Sequence, residues 1–130
     1  MTLEQAKRAI AAAEKKAQQL GVPEVVAVVD EGGNLKALER MDGASLMAID
    51  IAIAKAKTTV FSGLPTKGFY EFVKSDSVLA DAMFSVPGVC LIPGGIPITV
   101  AGKVIGAIGV AAGHHSQDHQ CAEAGAAALA

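Results

Sequence analysis

The sequence predicts a single α+β domain, in which helices pack on an antiparallel β-sheet. Segments with a helical repeat of apolar residues begin and end the chain. Between them lie pairs of short β-rich segments joined by turns that contain glycine. The chain has 130 residues, which is the length of one domain with its own core. We therefore predict one domain over residues 1–130.

The first helix is predicted to run to Leu20. Thr2 and Gln5 have the spacing of a capping box, in which each side chain bonds the backbone amide of the other residue. Apolar residues then recur at steps of three and four until Gly21, a residue type that commonly ends helices. This segment is predicted to be a helix with one apolar face.

A β-hairpin is predicted for residues 24–41, where EVVAVVD and LKALERMD flank the turn EGGN. The two glycines of that turn can adopt the positive φ that a tight hairpin requires. Asp42 is predicted to cap a helix over residues 45–61, whose apolar residues cover two sides. A helix with two apolar sides needs two neighbours, so we expect it to lie between the sheet and a second subunit.

The second half of the chain is predicted to be less regular. Thr66 is expected to cap a short amphipathic helix, and residues 76–87 are expected to be irregular or weakly helical. GVCLIPGG at 88–95 reads as a short strand, residues 97–113 as a hairpin, and the segment from Ser116 as a closing helix. This order of elements fits either a profilin-like or a ferredoxin-like fold.

Composition and charge exclude several classes of protein. The net charge is −2 and lysine and arginine form no cluster, so no nucleic-acid partner is expected. No apolar run is long enough to span a membrane, and the first residues do not resemble a signal peptide. Cys90 and Cys121 are not in CxxC spacing and read as reduced thiols. We predict a cytoplasmic protein without a membrane partner.

The high share of apolar residues in the chain predicts a homodimer or higher homo-oligomer. Hydrophobic residues make up 52% of the chain, and aromatic residues only 4%. This is more apolar surface than a small monomer can readily bury.

Four segments resemble the HbpS/GlcG family, which includes the C-terminal domain of PduO. They are VAVVDEGGNLKALERMDGA at 26–44, AKAKTTV at 54–60, PGGIPITVAGKVIGAIGV at 93–110 and QDHQCAEAG at 117–125. The resemblance implies a profilin-like α/β/α sandwich with a central antiparallel sheet, and assembly into dimers or higher oligomers. It also implies an association with haem or corrinoid handling and with small hydroxy acids, but no single activity.

Four residues outside the histidine-rich segment are candidates for binding a small anionic ligand. Gly94 and Gly95 could let backbone amides approach a ligand, or could form a tight turn between strands. The planar guanidinium of Arg40 suits a carboxylate, although an ion pair with a neighbouring acid is an equal alternative. Lys55 lies on a mostly apolar helix, where its ammonium group reaches either solvent or a ligand.

All three histidines lie in GHHSQDH at 113–119. Ser116 is predicted to be the N-cap of the last helix, with His114 and His115 before it and His119 in its first turn. The matching family segment is usually small and glycine-rich and continues QDE, so the histidines depart from the family pattern.

Four interpretations of the histidines stay open: haem ligation, acid–base catalysis, metal binding and a solvated surface loop. A helix N-terminus repels a cation, so no metal ligands are assigned. We predict an oligomeric HbpS/GlcG-type protein that binds haem or a related tetrapyrrole. The alternative is a cofactor-free isomerase or lyase for a hydroxy or keto acid, with His114 and His115 catalytic. The predicted ligand-binding residues are Arg40, Lys55, Gly94, Gly95, His114, His115, Ser116 and His119.

Overall fold

A four-stranded antiparallel sheet forms the centre of the computed structural model, which describes all 130 residues. The strands are β1 (Val25–Asp30), β2 (Leu35–Arg40), β3 (Gly95–Val100) and β4 (Lys103–Ala111). Their order across the sheet is β2-β1-β4-β3, so the two hairpins meet through β1 and β4.

Helices cover both faces of the sheet. They are α1 (Leu3–Leu20), α2 (Met47–Ser62), α3 (Thr66–Lys74), α4 (Ser77–Ala82) and α5 (His115–Ala127), with a 3-10 turn at Met83–Ser85. On β1, Val26 and Val28 pack in the core beneath α1 and α5, whereas Val25 and Ala27 pack against α2. This alternation confirms the predicted α+β sandwich with helices on both sides.

Glycines at two contacts let the layers approach closely. A Cβ atom on Gly109 of β4 would collide with the carbonyl oxygen of Ala52 in α2. A Cβ atom on Gly125 of α5 would lie 2.8 Å from the carbonyl oxygen of Ala9 in α1. Both positions therefore require a residue without a side chain.

The predictions for the start of the chain are confirmed. Thr2 and Gln5 form the capping box of α1, and Gly21 ends that helix with φ 71°. The prediction for Asp42 is wrong, because α2 begins five residues later, at Met47, and has no side-chain cap.

The strand predicted at 88–95 is wrong, since only Gly95 of this segment belongs to a strand. Gly88 and Gly94 have φ values of 79° and 131°, which bend the backbone out of the extended conformation. The Cys90 amide donates to the hydroxyl of Thr58 at 2.9 Å rather than to a neighbouring strand. A short apolar run with these glycines forms a loop instead.

Thr66 does not cap α3 as predicted. It is the first residue of the helix, fully buried, and its hydroxyl accepts a hydrogen bond from the Gly95 amide at 2.9 Å. The weakly helical prediction for 76–87 is refined: Asp76 caps the short helix α4, and the 3-10 turn follows.

No helix of the chain is both long and apolar enough to cross a membrane.

Candidate functional site

The candidate site lies at the end of the sheet where β4 leads into α5. β4 ends at Ala111, which pairs with Val25 at the start of β1. Residues 112–115, the histidine loop, then carry the chain into α5. Ala112 has φ 115°, a conformation that residues with a side chain rarely adopt. This short, strained turn fixes the histidines relative to the sheet.

His114, not Ser116, is the N-cap of α5, so the Ser116 prediction is wrong. The His114 Nδ1 atom accepts a hydrogen bond from the Ser116 amide at 3.2 Å, and Gln117 Oε1 accepts from the His114 amide at 3.0 Å. These two bonds form a capping box with histidine in place of the usual hydroxyl or carboxyl residue. Because Nδ1 is an acceptor, the neutral His114 ring carries its proton on Nε2.

His115 is exposed and lines three neighbouring clefts. The apolar cleft, of about 310 Å³, is formed with Tyr70, Phe84, Leu91, Ile92 and Pro93. The polar cleft, of about 410 Å³, is formed with residues that include Lys67, Glu71, Ser116, His119 and Gln120. The inner cleft, of about 280 Å³, reaches residues that include Ile51, Lys55, Gly113, His114 and Asp118. None of the side-chain hydrogen bonds of the loop involves the His115 ring.

His119 lies one turn into α5 and points along the helix. Its Nε2 atom is 3.1 Å from Glu123 Oε1, one helical turn further on. Its Nδ1 atom is buried without a hydrogen-bond partner. His119 therefore borders the polar cleft with a ring that Glu123 already holds.

Lys55 forms a buried ion pair beneath the histidine loop. Its Nζ atom lies 2.7 Å from Asp118 Oδ2 and donates to the carbonyl oxygen of Val110 at 2.8 Å. The two charged side chains are 1% and 3% exposed. Asp118 therefore neutralises the ammonium group, and two of its three N–H donors are engaged inside the protein.

Glu24 is a buried acid that the sequence analysis did not single out. It precedes β1, is 0% exposed, and its Oε2 atom accepts from the Gly113 amide at 3.0 Å. Burial and the neighbouring Asp118 raise the pKa of Glu24 to about 8. A charged residue next to a strand of continuous apolar residues was the signal available in the sequence, because such a strand is buried on both faces.

Gly94 and Gly95 pack against protein and line none of the three clefts. A Cβ atom on Gly94 would lie 2.7 Å from the Val110 carbonyl oxygen, and one on Gly95 would lie 2.6 Å from the Lys55 carbonyl oxygen. The Gly95 amide is already bonded to Thr66. The glycine pair thus lets β3 approach α2 and β4 closely. It forms no tight turn between strands, because no strand directly precedes β3.

Arg40 is exposed at the end of β2, separated from β4 by β1. Its Nη1 atom donates to the carbonyl oxygen of Ala44 at 3.2 Å. It lines none of the three clefts and so is not brought together with the histidines.

Nowhere in the chain do three or more His, Cys, Asp or Glu side chains gather as a group able to hold a metal ion.

Comparisons with known proteins agree on one family. The family described as "Haem degrading protein HbpS-like" matches residues 1–127. GlcG of Escherichia coli K12 is 38% identical over 101 residues, which are 78% of this chain and 73% of GlcG.

Two crystal structures extend this likeness to the fold. A double mutant of HbpS from Streptomyces reticuli superposes with a TM-score of 0.90 and 37% identity, covering 100% of this chain and 87% of that chain. PduOC in complex with heme gives a TM-score of 0.89 and 28% identity, covering 99% of this chain and 94% of that chain.

Proposed function

The chain belongs to the HbpS-like family, and on that premise we propose that it is a small-ligand-binding protein whose ligand is haem or a related tetrapyrrole. The similar PduOC was crystallised with heme, and the family description itself names haem. The observation that carries the proposal is His115, an exposed imidazole without a hydrogen bond of its own, at the meeting point of three clefts.

The residues around His115 are chemically suited to a haem. A bound haem needs an axial ligand to iron and an apolar wall against its macrocycle. His115 would supply the imidazole, while Tyr70, Phe84, Leu91 and Ile92 would cover the ring and exclude water. When bound, the iron supplies redox chemistry and the chain positions it.

A cationic side chain near a haem usually meets its propionates. Lys67 borders the polar cleft and is exposed, whereas the ammonium group of Lys55 is already neutralised by Asp118. We therefore propose Lys67 as the propionate partner, a residue that the sequence alone did not single out. Ser116 and His119 remain proposed neighbours of the ligand through the polar cleft.

Hemin titration tests the proposal, with His115→Ala as the decisive variant. The wild-type protein is expected to saturate with a shifted Soret band, and His115→Ala is expected to bind about tenfold or more weakly because it would remove the proposed iron ligand. His119→Ala is the comparison variant: Glu123 holds that ring at the border of the polar cleft, so its loss is expected to weaken hemin binding less than the loss of His115. A wild-type protein without a saturable Soret shift would exclude the proposal, as would an unchanged spectrum after all three histidines are replaced by alanine.

The alternative, a cofactor-free enzyme for hydroxy or keto acids, has less support. A carboxylate substrate needs several donors that converge on one place beside the catalytic base. The Gly95 amide is engaged by Thr66, and Arg40 is engaged by Ala44 outside the clefts. His114 Nδ1 is engaged as the helix cap.

We also propose that the protein forms a homo-oligomer. Large apolar side chains remain exposed at α2: Leu46, which precedes the helix, and Met47 and Phe61 within it are each at least 70% exposed. The α4 region adds Val78 and Phe84, which are 70% and 69% exposed. Large apolar side chains exposed in this way are typical of contacts between subunits.

A further inference from the structure

The carboxyl groups of Glu24 and Asp118 converge on one backbone amide of the histidine loop, that of Gly113. The Gly113 amide donates to Glu24 Oε2 and to Asp118 Oδ1, each at 3.0 Å. Glu24 is 0% exposed and Asp118 2% exposed. Two ionised carboxylates this close, and this poorly hydrated, repel each other strongly, so such pairs commonly hold one proton between them.

One oxygen of the pair favours Glu24 over Asp118 as the residue that holds the proton. Asp118 Oδ2 is bonded to Lys55, and the two oxygens that share the Gly113 amide are also satisfied. Glu24 Oε1 is buried and receives no hydrogen bond from any donor. An ionised oxygen in that position would lose its hydration without compensation. A protonated Glu24 carboxyl carries no charge and can donate to Asp118, with which it is in hydrogen-bonding contact.

We propose that Glu24 is protonated in the folded protein, donates this proton in a hydrogen bond to Asp118, and thereby anchors the histidine loop and the start of α5. Glu24 is then a positioning residue for the loop. Its bonds join the residue before β1 to the loop after β4 and, through Asp118, to α5.

The surrounding charges balance only with the proton in place. Lys55 of α2 contributes one positive charge and Asp118 one negative charge, so a neutral Glu24 leaves the group uncharged. Burial, with Glu24 and Asp118 nearby, raises the pKa of the Cys121 thiol of α5 to about 12, and Lys16 of α1 opposes that rise. Cys121 therefore stays a neutral thiol and adds no negative charge to the group.

The shared proton makes opening of the loop depend on pH. Opening hydrates Glu24, whose pKa then falls from about 8 to its ordinary value of 4.5. The folded form holds the proton more tightly than the open form, so the loop is most stable below pH 4.5 and loses this stabilisation as the pH rises through about 8. Each pH unit in this window should favour opening by about tenfold.

Native-state hydrogen exchange of the Gly113 amide measures this opening. In the wild-type protein the protection factor is expected to fall about tenfold per pH unit between the two pKa values and then to level off. In Glu24→Gln the side-chain amide donates to Asp118 at every pH, so the protection factor should become independent of pH. Glu14→Gln is the matched control, because burial and Glu39 raise the pKa of Glu14 to about 7. Glu14 lies on α1, so its replacement should leave the pH dependence of the Gly113 protection factor unchanged.

A flat wild-type profile, or a slope that persists in Glu24→Gln, would overturn the proposal. Carboxyl carbon NMR of the wild-type protein decides the same question if the variant folds poorly, because a Glu24 carboxyl that ionises near 4.5 contradicts it. The consequence for the clefts rests on the proposed function: hemin affinity should fall with rising pH in the wild type and not in Glu24→Gln. Failure of all hemin binding would remove the proposed function, while the Gly113 exchange data would still decide this inference.

Discussion

Lys55 illustrates how a residue's partners decide its role. A lysine on an apolar helix is expected to reach solvent or a ligand, but here it is paired with Asp118, 63 positions away in the sequence. Taking two charges out of water costs several kcal/mol per ion, and the pair is tolerated because each charge is also hydrogen-bonded. Removing one partner leaves the other charge buried and uncompensated.

We therefore expect Asp118→Ala to lower the free energy of unfolding by about 3–5 kcal/mol. Urea denaturation at neutral pH measures this loss, and adding Lys55→Met to the same chain should recover part of it, because the unpaired charge is then removed. Asp81→Ala, at an exposed acid of α4, is the control and should change stability by less than about 0.5 kcal/mol. Equal effects of Asp118→Ala and Asp81→Ala would contradict a stabilising role for the buried pair.

The sequence predicts where the site lies better than it predicts which hydrogen bonds form there. The histidine loop and its position before the last helix follow from the sequence, since the glycine and the helical repeat mark that boundary. The sequence favours Ser116 as the cap because serine usually caps helices, and histidine is rarely considered for that role. Glu24, Asp118 and Lys55 could not be joined, because they lie on three different parts of the chain that only the fold brings together.

At the scale of elements, the close contact of α2 with β4 sets the geometry of the sandwich. The contact depends on Gly109, which packs against the backbone of Ala52. The chain's order of helices and hairpins was predictable from periodicity, whereas the segment at 88–95 was not. Its apolar residues favour a strand, but its positive-φ glycines exclude one.

Substituting Gly109 by alanine should force α2 and β4 apart and lower the free energy of unfolding by about 1–3 kcal/mol. Gly68→Ala provides a control of opposite sign. Gly68 lies inside α3 without a positive φ, and a Cβ atom added there would have nothing within 4 Å, so alanine should stabilise the protein by about 0.5–1 kcal/mol. Thermal and urea unfolding of both variants would measure the difference, and a neutral Gly109→Ala would refute the close-packing argument.

At the scale of the whole molecule, the most exposed large apolar side chains lie in two regions. One is the outer side of α2, and the other is the region of α4 and the 3-10 turn. The inner side of α2 packs on β1 and β4 as predicted, and Met47 and Phe61 stay exposed. The second subunit on the outer side stays a prediction. The outer side of α2 is therefore our candidate for the subunit contact.

Light scattering should give a mass that is a multiple of 13.1 kDa at micromolar concentration. The double substitution Leu46→Glu with Met47→Glu should shift the mass toward the monomer, because it places buried charges in an apolar contact. Val78→Glu on α4 is the comparison and should leave the mass unchanged. A wild-type monomer would contradict the oligomer, and dissociation by Val78→Glu alone would move the contact to α4.

Adjacent histidines have different roles: His114 caps α5, and His115 lines the clefts. Residues that cap helices well, such as aspartate, asparagine, serine and threonine, could replace His114 without loss of α5. His115 has no such duty, because its ring makes none of the bonds that start the helix. A substitution at 115 can therefore change the chemistry offered to the three clefts in a single step that leaves the start of α5 intact.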